Sequence, residues 1–198
     1  MKSRFKKVLA GIVTIALLAF AAIPVFAADT TDTGTGNVNG IVTINGTISP
    51  LTISVTHPVN VAYAIDPNSG TNGTFTAPDV KITNNTKVAV NVTVTALTSA
   101  PGGTLTFTDV DSASKTWDTL NLVDSKKYIA IGIKAKDSTG WNSGYSTATH
   151  WAVNKTPTMI GSLSSAATGT LMLTADYGLA FDDGYTANHD LEFLFQLV

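Results

Sequence analysis

The amino-acid sequence predicts an all-β fold, a single antiparallel β-sandwich of jelly-roll type. Beyond residue 27, several segments alternate apolar residues with polar or small ones, which is the pattern of strands with one buried face. Combinations of Pro, Gly, Asn and Asp that favour turns separate these segments. No such segment shows the 3.6-residue period of an amphipathic helix, and no fixed-length repeat indicates a solenoid or propeller.

The first element, residues 1–27, is predicted to be a secretory signal peptide. Four basic residues precede an apolar run from Val8 to Phe26, and Val25 and Ala27 suit the −3 and −1 positions of a signal-peptidase cut. An uncleaved membrane anchor is the alternative, because the run is near the lower length limit for crossing a bilayer. Cleavage after Ala27 is favoured, and it predicts a secreted, extracellular or cell-surface protein that no longer associates with the membrane.

Cleavage changes the charge of the chain. The whole sequence has 12 Lys+Arg and 14 Asp+Glu, and four of the basic residues but no acidic ones lie in residues 1–27. Residues 28–198 therefore carry 8 basic and 14 acidic residues, a net charge of −6. An acidic surface repels phosphate groups, which argues against nucleic acid as a partner. The absence of cysteine excludes disulfides and thiol chemistry.

Residues 28–37 are polar and predicted to be a flexible leader, so the folded domain is expected to span residues 38–198. Its first predicted strand, residues 38–48, places four apolar residues on one face together with two glycines. Glycine weakens an isolated strand but lets another backbone approach closely. The segment is therefore a candidate donor strand, able to pair within its own domain or with a neighbour. The apolar residues of this face are Val38, Val42, Ile44 and Ile48.

The remaining elements follow in chain order. Short alternating segments at 51–55 and 59–65 are separated by prolines, and the sequence 66–70 predicts a turn. The strongest alternation lies at 88–97, further strands are predicted at 129–135, 171–177 and 191–197, and apolar residues also alternate at 80–82 and 105–107. Residues 137–154 are predicted to form a loop that contains three aromatic residues, Trp141, Tyr145 and Trp151.

Enzymatic chemistry lacks its usual residues. A glycosidase needs two carboxylates across a cleft, but Glu192 is the one glutamate in the chain and lies in the last predicted strand. The histidines, at positions 57, 150 and 189, lack the spacing of zinc ligands, and no serine lies in a nucleophile elbow. The sequence therefore predicts a protein without enzymatic activity or a cofactor.

Calcium is the one metal that the loops suggest. Two pairs of aspartates place hard oxygen ligands in predicted loops. Aspartate is also a common turn residue, and turn formation explains both pairs without a metal. The prediction is therefore that the protein has no metal site. If an ion does bind, calcium is the candidate, and its ligands would come from Asp109, Asp111, Asp182 and Asp183.

The stretch from Val59 to Thr95 resembles secreted β-sandwich proteins of Gram-positive bacteria. It contains the sequences at 64–68 and 80–85 followed by a valine-rich strand, and it is similar to WxL-type surface proteins and to the fibre-forming TasA and camelysin group. The Trp-x-Leu motif itself is absent, since no tryptophan is followed two residues later by leucine. The resemblance therefore implies a sandwich architecture and a surface location, but no binding residues.

Two functions are compatible with these features. The first is a structural cell-surface or matrix protein, a filament subunit that assembles by donation of strand 38–48 and whose partners are copies of itself or other surface proteins. The second is a monomeric adhesion or carbohydrate-binding module, with Trp141, Tyr145 and Trp151 as an aromatic platform for polysaccharide. The same rings could instead close one end of the sandwich. The strand pattern favours the first function.

Overall fold

The computed structural model describes residues 46–198, and their fold is all-β. The predicted signal peptide, the leader and most of strand 38–48 lie outside the described residues. The chain divides into two units between Ile48 and Ser49, and all described strands belong to the second. No helix within residues 46–198 has the length and apolar character needed to cross a membrane.

Eleven strands run in chain order through residues 55–197. They are β1 (Val55–Thr56), β2 (Ala64–Asp66), β3 (Thr74–Thr76), β4 (Val80–Asn84), β5 (Val90–Ala100), β6 (Thr108–Asp109), β7 (Tyr128–Ala135), β8 (His150–Trp151), β9 (Thr158–Leu163), β10 (Thr168–Tyr177) and β11 (Asn188–Leu197). Between β6 and β7 lie two 3-10 turns (Ser112–Ser114 and Trp117–Thr119) and helix α1 (Leu122–Ser125).

Two sheets and one hairpin organise these strands. The larger sheet has the order β1-β4-β10-β7-β6, with β8 also paired to β7, and the smaller sheet has the order β11-β5-β9. Strands β2 and β3 form a separate hairpin. All pairs are antiparallel except the short parallel pair of β6 and β7.

Both sheets contribute to one hydrophobic core. The alternation at 90–94 places valines of β5 in the interior, opposite isoleucines of β7 and Leu171 of β10. The fully buried aliphatic residues include Val80, Ile82, Val90, Val92, Val94, Ile129, Ile131, Ile133, Ile160, Leu163 and Leu171. Removal of each such side chain from water contributes about 1.5–3 kcal/mol to folding. This core explains how a domain without disulfides holds together.

Close packing around Trp141 joins the loop after β7 to both sheets. Trp141 is 7% exposed, and its backbone N–H donates to the Ser138 carbonyl at 3.2 Å. A methyl group on Gly169 of β10 would lie 2.5 Å from the indole ring, and one on Gly161 of β9 would lie 2.9 Å from Cβ of Tyr145. Glycine at these two strand positions therefore makes room for the aromatic residues of the loop.

Candidate functional site

The open edge of β11 is the main feature by which the described domain could bind another chain. Sheet edges expose unpaired backbone N–H and C=O groups, so natural proteins keep them short or cover them. The outer strands of the larger sheet, β1, β6 and β8, have two residues each. In the smaller sheet β9 is covered, since the Asn142 and Ser146 amides donate to carbonyls of β9 at 2.9 and 2.6 Å.

Strand β11 differs from these edges because it is ten residues long and, among residues 46–198, pairs only with β5. Its side chains alternate strictly in exposure from Asn188 to Gln196. The inner face carries Leu191, Phe193 and Phe195, which pack on the core while remaining half-buried. The outer face includes Leu194, which is 44% exposed. Such a long and partly apolar edge is suited to accept another strand.

A groove lies beside the inner face of β11. Its volume is about 1310 Å³, and both sheets line it, with Val80 and Ile131 from the larger sheet and Leu97 from the smaller one. Residues 58–68 also line it and form one of its walls. The sequence predicted a strand over 59–65, but the structure contains only the three-residue strand β2 at its end. The rest of this wall, with a bend at Val59 and a turn at 67–68, has no strand partner among the described residues.

A polar cluster adjoins the groove through two of its lining residues, Tyr63 and His189. Tyr63 of the groove wall, Ser99 of β5, Asp109 of β6 and His189 of β11 form it. The Ser99 amide and hydroxyl donate to the two carboxylate oxygens of Asp109 at 2.9 and 3.1 Å. The His189 side chain is 4% exposed, with Nε2 3.3 Å from Asp109 Oδ1 and Nδ1 3.3 Å from the Tyr63 hydroxyl.

Two members of the polar cluster have shifted pKa values. Burial, together with the nearby Asp109 carboxylate, raises the pKa of Tyr63 to about 12. Burial by itself would raise the pKa of Asp109, but hydrogen bonds from His189 and Ser99 outweigh it, and the pKa is lowered. Asp109 is therefore an ionised acceptor that joins β5, β6 and β11.

The polar cluster contains serine, histidine and aspartate without the geometry of a catalytic triad. In a triad the serine and the carboxylate contact opposite nitrogens of the histidine ring. Here Ser99 Oγ at 3.0 Å and Asp109 Oδ1 at 3.3 Å both face Nε2, and Nδ1 faces Tyr63. The arrangement suits a structural tie between strands.

We expect Asp109→Asn to lower the free energy of unfolding by about 1–3 kcal/mol, because buried donors lose a charged acceptor. The lowered pKa of Asp109 means that its stabilisation is present above the ordinary value of 3.8 and is lost as pH falls through and below that value. Urea unfolding between pH 3 and 7 measures both effects. The control Asp190→Asn changes an exposed carboxylate on β11. Equal losses in the two variants would contradict a special role for Asp109.

The other two histidines, His57 and His150, make packing contacts and hydrogen bonds within the domain. His57 stacks on Phe195 with a ring separation of 5.9 Å. His150 is fully buried, with Nδ1 2.8 Å from the Thr158 hydroxyl, and burial lowers its pKa. The sequence suggested no role for His189, although its inward position in register with Leu191 indicates a buried strand position. A polar residue at a buried strand position needs a hydrogen-bonding partner.

The three residues of the candidate aromatic platform have different surroundings in the structure. Trp141 belongs to the core, and Tyr145 packs against it. Trp151 lies in β8 opposite Gly132 of β7 and is half-buried. Because a sugar stacks on an accessible ring face, Trp141 is not positioned as a platform residue.

The calcium candidates each have a protein contact. Asp111 accepts from the Ala113 amide at 2.8 Å at the start of a 3-10 turn. Asp182 pairs with Lys126 at 3.2 Å, and Asp183 accepts from the Gly184 amide at 2.7 Å. Asp109 belongs to the polar cluster. Over residues 46–198 no group of three or more His, Asp or Glu side chains is arranged to hold a metal ion.

Of the four apolar residues predicted for strand donation, Ile48 alone falls within the described residues. It has no regular secondary structure and is 96% exposed. Val38, Val42 and Ile44 lie outside the described part of the chain. Comparison with protein families, with characterised proteins and with solved structures gives no match.

Proposed function

We propose that the protein is a secreted structural protein of the cell surface or extracellular matrix, without enzymatic activity. In this proposal it is a filament subunit, and residues 38–48 of one copy add to the β11 edge of the next. The observation that carries the proposal is the contrast between the edges of the described sheets. β9 is covered and the other outer strands are short, whereas β11 is long and the backbone of its outer edge has no strand partner within residues 46–198.

The core supports a sandwich architecture for the domain. Two sheets that bury side chains in one shared core correspond to the two layers of a β-sandwich, and the Greek-key connections of a jelly roll are the version we propose. In such a fold a strand added beside β11 would extend the smaller sheet and lie over the groove. The half-buried Phe193 and Phe195 would then be covered on their open side.

The sequence of residues 38–48 suits this position. The segment contains no charged residue, and its even-numbered residues read Val, Gly, Val, Ile, Gly, Ile. Alternate residues of a strand share one face, so this whole apolar face can turn towards the groove. The glycines leave space where backbone or aromatic rings of the acceptor come close. Backbone hydrogen bonds would supply affinity, and the apolar face would set the register.

Negative-stain microscopy and light scattering of two purified chains test the proposal. Residues 28–198 are expected to form filaments, whereas residues 49–198, which retain every described strand, are expected to stay monomeric. Circular dichroism establishes that both chains are folded. Monomers in both samples would contradict the filament function, and filaments in both would contradict donation by residues 38–48.

A further inference from the structure

Residues 57–63, here called the strap, run along β11 in the antiparallel direction. His57 at the start of the strap contacts the rings of Phe195 and Phe193, with centroids 5.9 and 6.2 Å apart. Tyr63 at the end of the strap contacts His189, with centroids 5.8 Å apart. The strap therefore advances from 57 to 63 while its contacts on β11 go back from 195 to 189. This is the direction and spacing of a neighbouring strand.

The strap nevertheless makes none of the hydrogen bonds of a strand pair. Within residues 46–198 no backbone group of residues 57–63 bonds to another backbone group. The contact of the strap with β11 is through side chains, and one hydrogen bond joins the Tyr63 hydroxyl to His189. Between its two contact points Val61 packs against the core, whereas Val59 is 98% exposed. The strap is thus held by a few side chains and not by a backbone ladder.

We propose that the strap is a displaceable occupant of the strand-acceptor site, and that residues 38–48 of a second copy replace it during assembly. This inference rests on the proposed function. The strap covers Phe193, Phe195 and His189, which an added strand would also cover, and it forms one wall of the groove that the apolar face of the donor would enter. Both segments cannot occupy the same side of β11.

Replacement of the strap has a physical driving force. A donor strand can form a ladder of backbone hydrogen bonds with β11 that the strap lacks. The strap protects the aromatic side chains of a free subunit from non-specific association. Its release therefore costs free energy, which slows assembly and raises the subunit concentration that filaments need.

Two experiments, one substitution and one cross-link, test this barrier in opposite directions. Tyr63→Phe removes the hydroxyl that bonds His189 but keeps the ring. Since a neutral hydrogen bond is typically equivalent to a factor of about two to ten in an equilibrium, the lag of filament formation by residues 28–198 should shorten by about two- to tenfold. The matched control Tyr128→Phe lies on β7 outside the groove wall and should leave the lag unchanged. An unchanged lag in Tyr63→Phe would contradict the anchoring role.

Cross-linking the strap to β11 gives the opposite effect. The natural chain has no cysteine, so His57→Cys with Phe195→Cys introduces a single pair, which a short bis-methanethiosulfonate reagent joins reversibly. The cross-linked chain should not elongate, and reduction should restore filaments. Each single-cysteine variant treated with the same reagent should assemble. Equal assembly before and after reduction would overturn the inference and leave the proposed function intact. A failure of the unsubstituted chain to assemble would instead overturn the proposed function.

Discussion

Gly140→Ala is expected to lower the free energy of unfolding by about 3 kcal/mol or more, the largest loss of stability that we predict for a single methyl group. Gly140 has a φ of +80°, and a Cβ there would lie 1.9 Å from the carbonyl oxygen of Thr168, the first residue of β10. A left-handed conformation costs a non-glycine residue about 1–2 kcal/mol. Overpacking adds about 1–3 kcal/mol, and more here because backbone atoms cannot rotate away.

Gly144 separates these two contributions. It also has a positive φ of +85°, but a Cβ there would meet no atom within 4 Å. Gly144→Ala should therefore lose only the conformational part, about 1–2 kcal/mol. Urea unfolding followed by circular dichroism measures both variants. Similar losses would show that the contact between the loop and β10 is unimportant. Because typical domains have a stability of about 5–15 kcal/mol, the loss in Gly140→Ala is a large part of the total and should shift the urea midpoint to a clearly lower concentration.

Val42→Asp together with Ile44→Asp is expected to abolish filament formation by residues 28–198. In the proposed assembly both side chains enter the groove beside β11, and burial of an unpaired carboxylate costs several kcal/mol. The subunit itself should keep its stability, because the described core is formed by residues after position 48. Light scattering and electron microscopy measure assembly, and thermal unfolding measures the stability of the subunit.

The control for this experiment uses the opposite face of the same segment. Thr43→Asp with Thr47→Asp adds the same charge at odd-numbered positions, which would point away from the groove. This variant should still assemble. If it failed as completely as the first variant, general charge repulsion between acidic subunits would explain the loss, and the assigned register would be wrong.

The longest alternating segments of the sequence predicted strands correctly. The alternations at 80–82, 88–97, 129–135, 171–177 and 191–197 correspond to β4, β5, β7, β10 and β11. Their apolar faces are long enough for period two to dominate any competing pattern. The predicted segments at 51–55 and 59–65 were wrong over most of their length, and only β1 and β2 remain. Pro58 lies between the two segments. Among residues 46–198 their strand partners are limited to β4 for β1 and β3 for β2.

Strand β9 was missed because a bulge breaks its alternation. Gly161 pairs with Val92 and Met159 pairs with Thr93, so Ile160 is left as the extra residue. The two buried apolar residues of the strand, Ile160 and Leu163, are consequently three positions apart. A spacing of three positions does not indicate a strand, and Gly161 suggests a turn. A sequence pattern that assumes strict period two cannot recover it.

The candidate site was only partly predictable. The alternation at 191–197 predicted the strand, but its position at the edge of the sheet depends on which strands flank β5. The polar cluster likewise joins Ser99, Asp109 and His189 from three separate strands. No local pattern specifies contacts between residues so distant in sequence. The strap was equally hidden, because its alternation is that of a strand and its missing hydrogen bonds appear only in three dimensions.

The pairing of β11 with β5 also has a kinetic consequence. Leu197 is opposite Val90 and Asn188 is opposite Ala100, so the smaller sheet cannot close until residues 188–197 have been synthesised. Proteins dominated by such distant pairings fold in milliseconds to seconds, far more slowly than helical bundles. For a chain exported as proposed, late closure of the smaller sheet keeps the polypeptide unfolded while it crosses the membrane. The order of synthesis would then favour folding after secretion over folding before it.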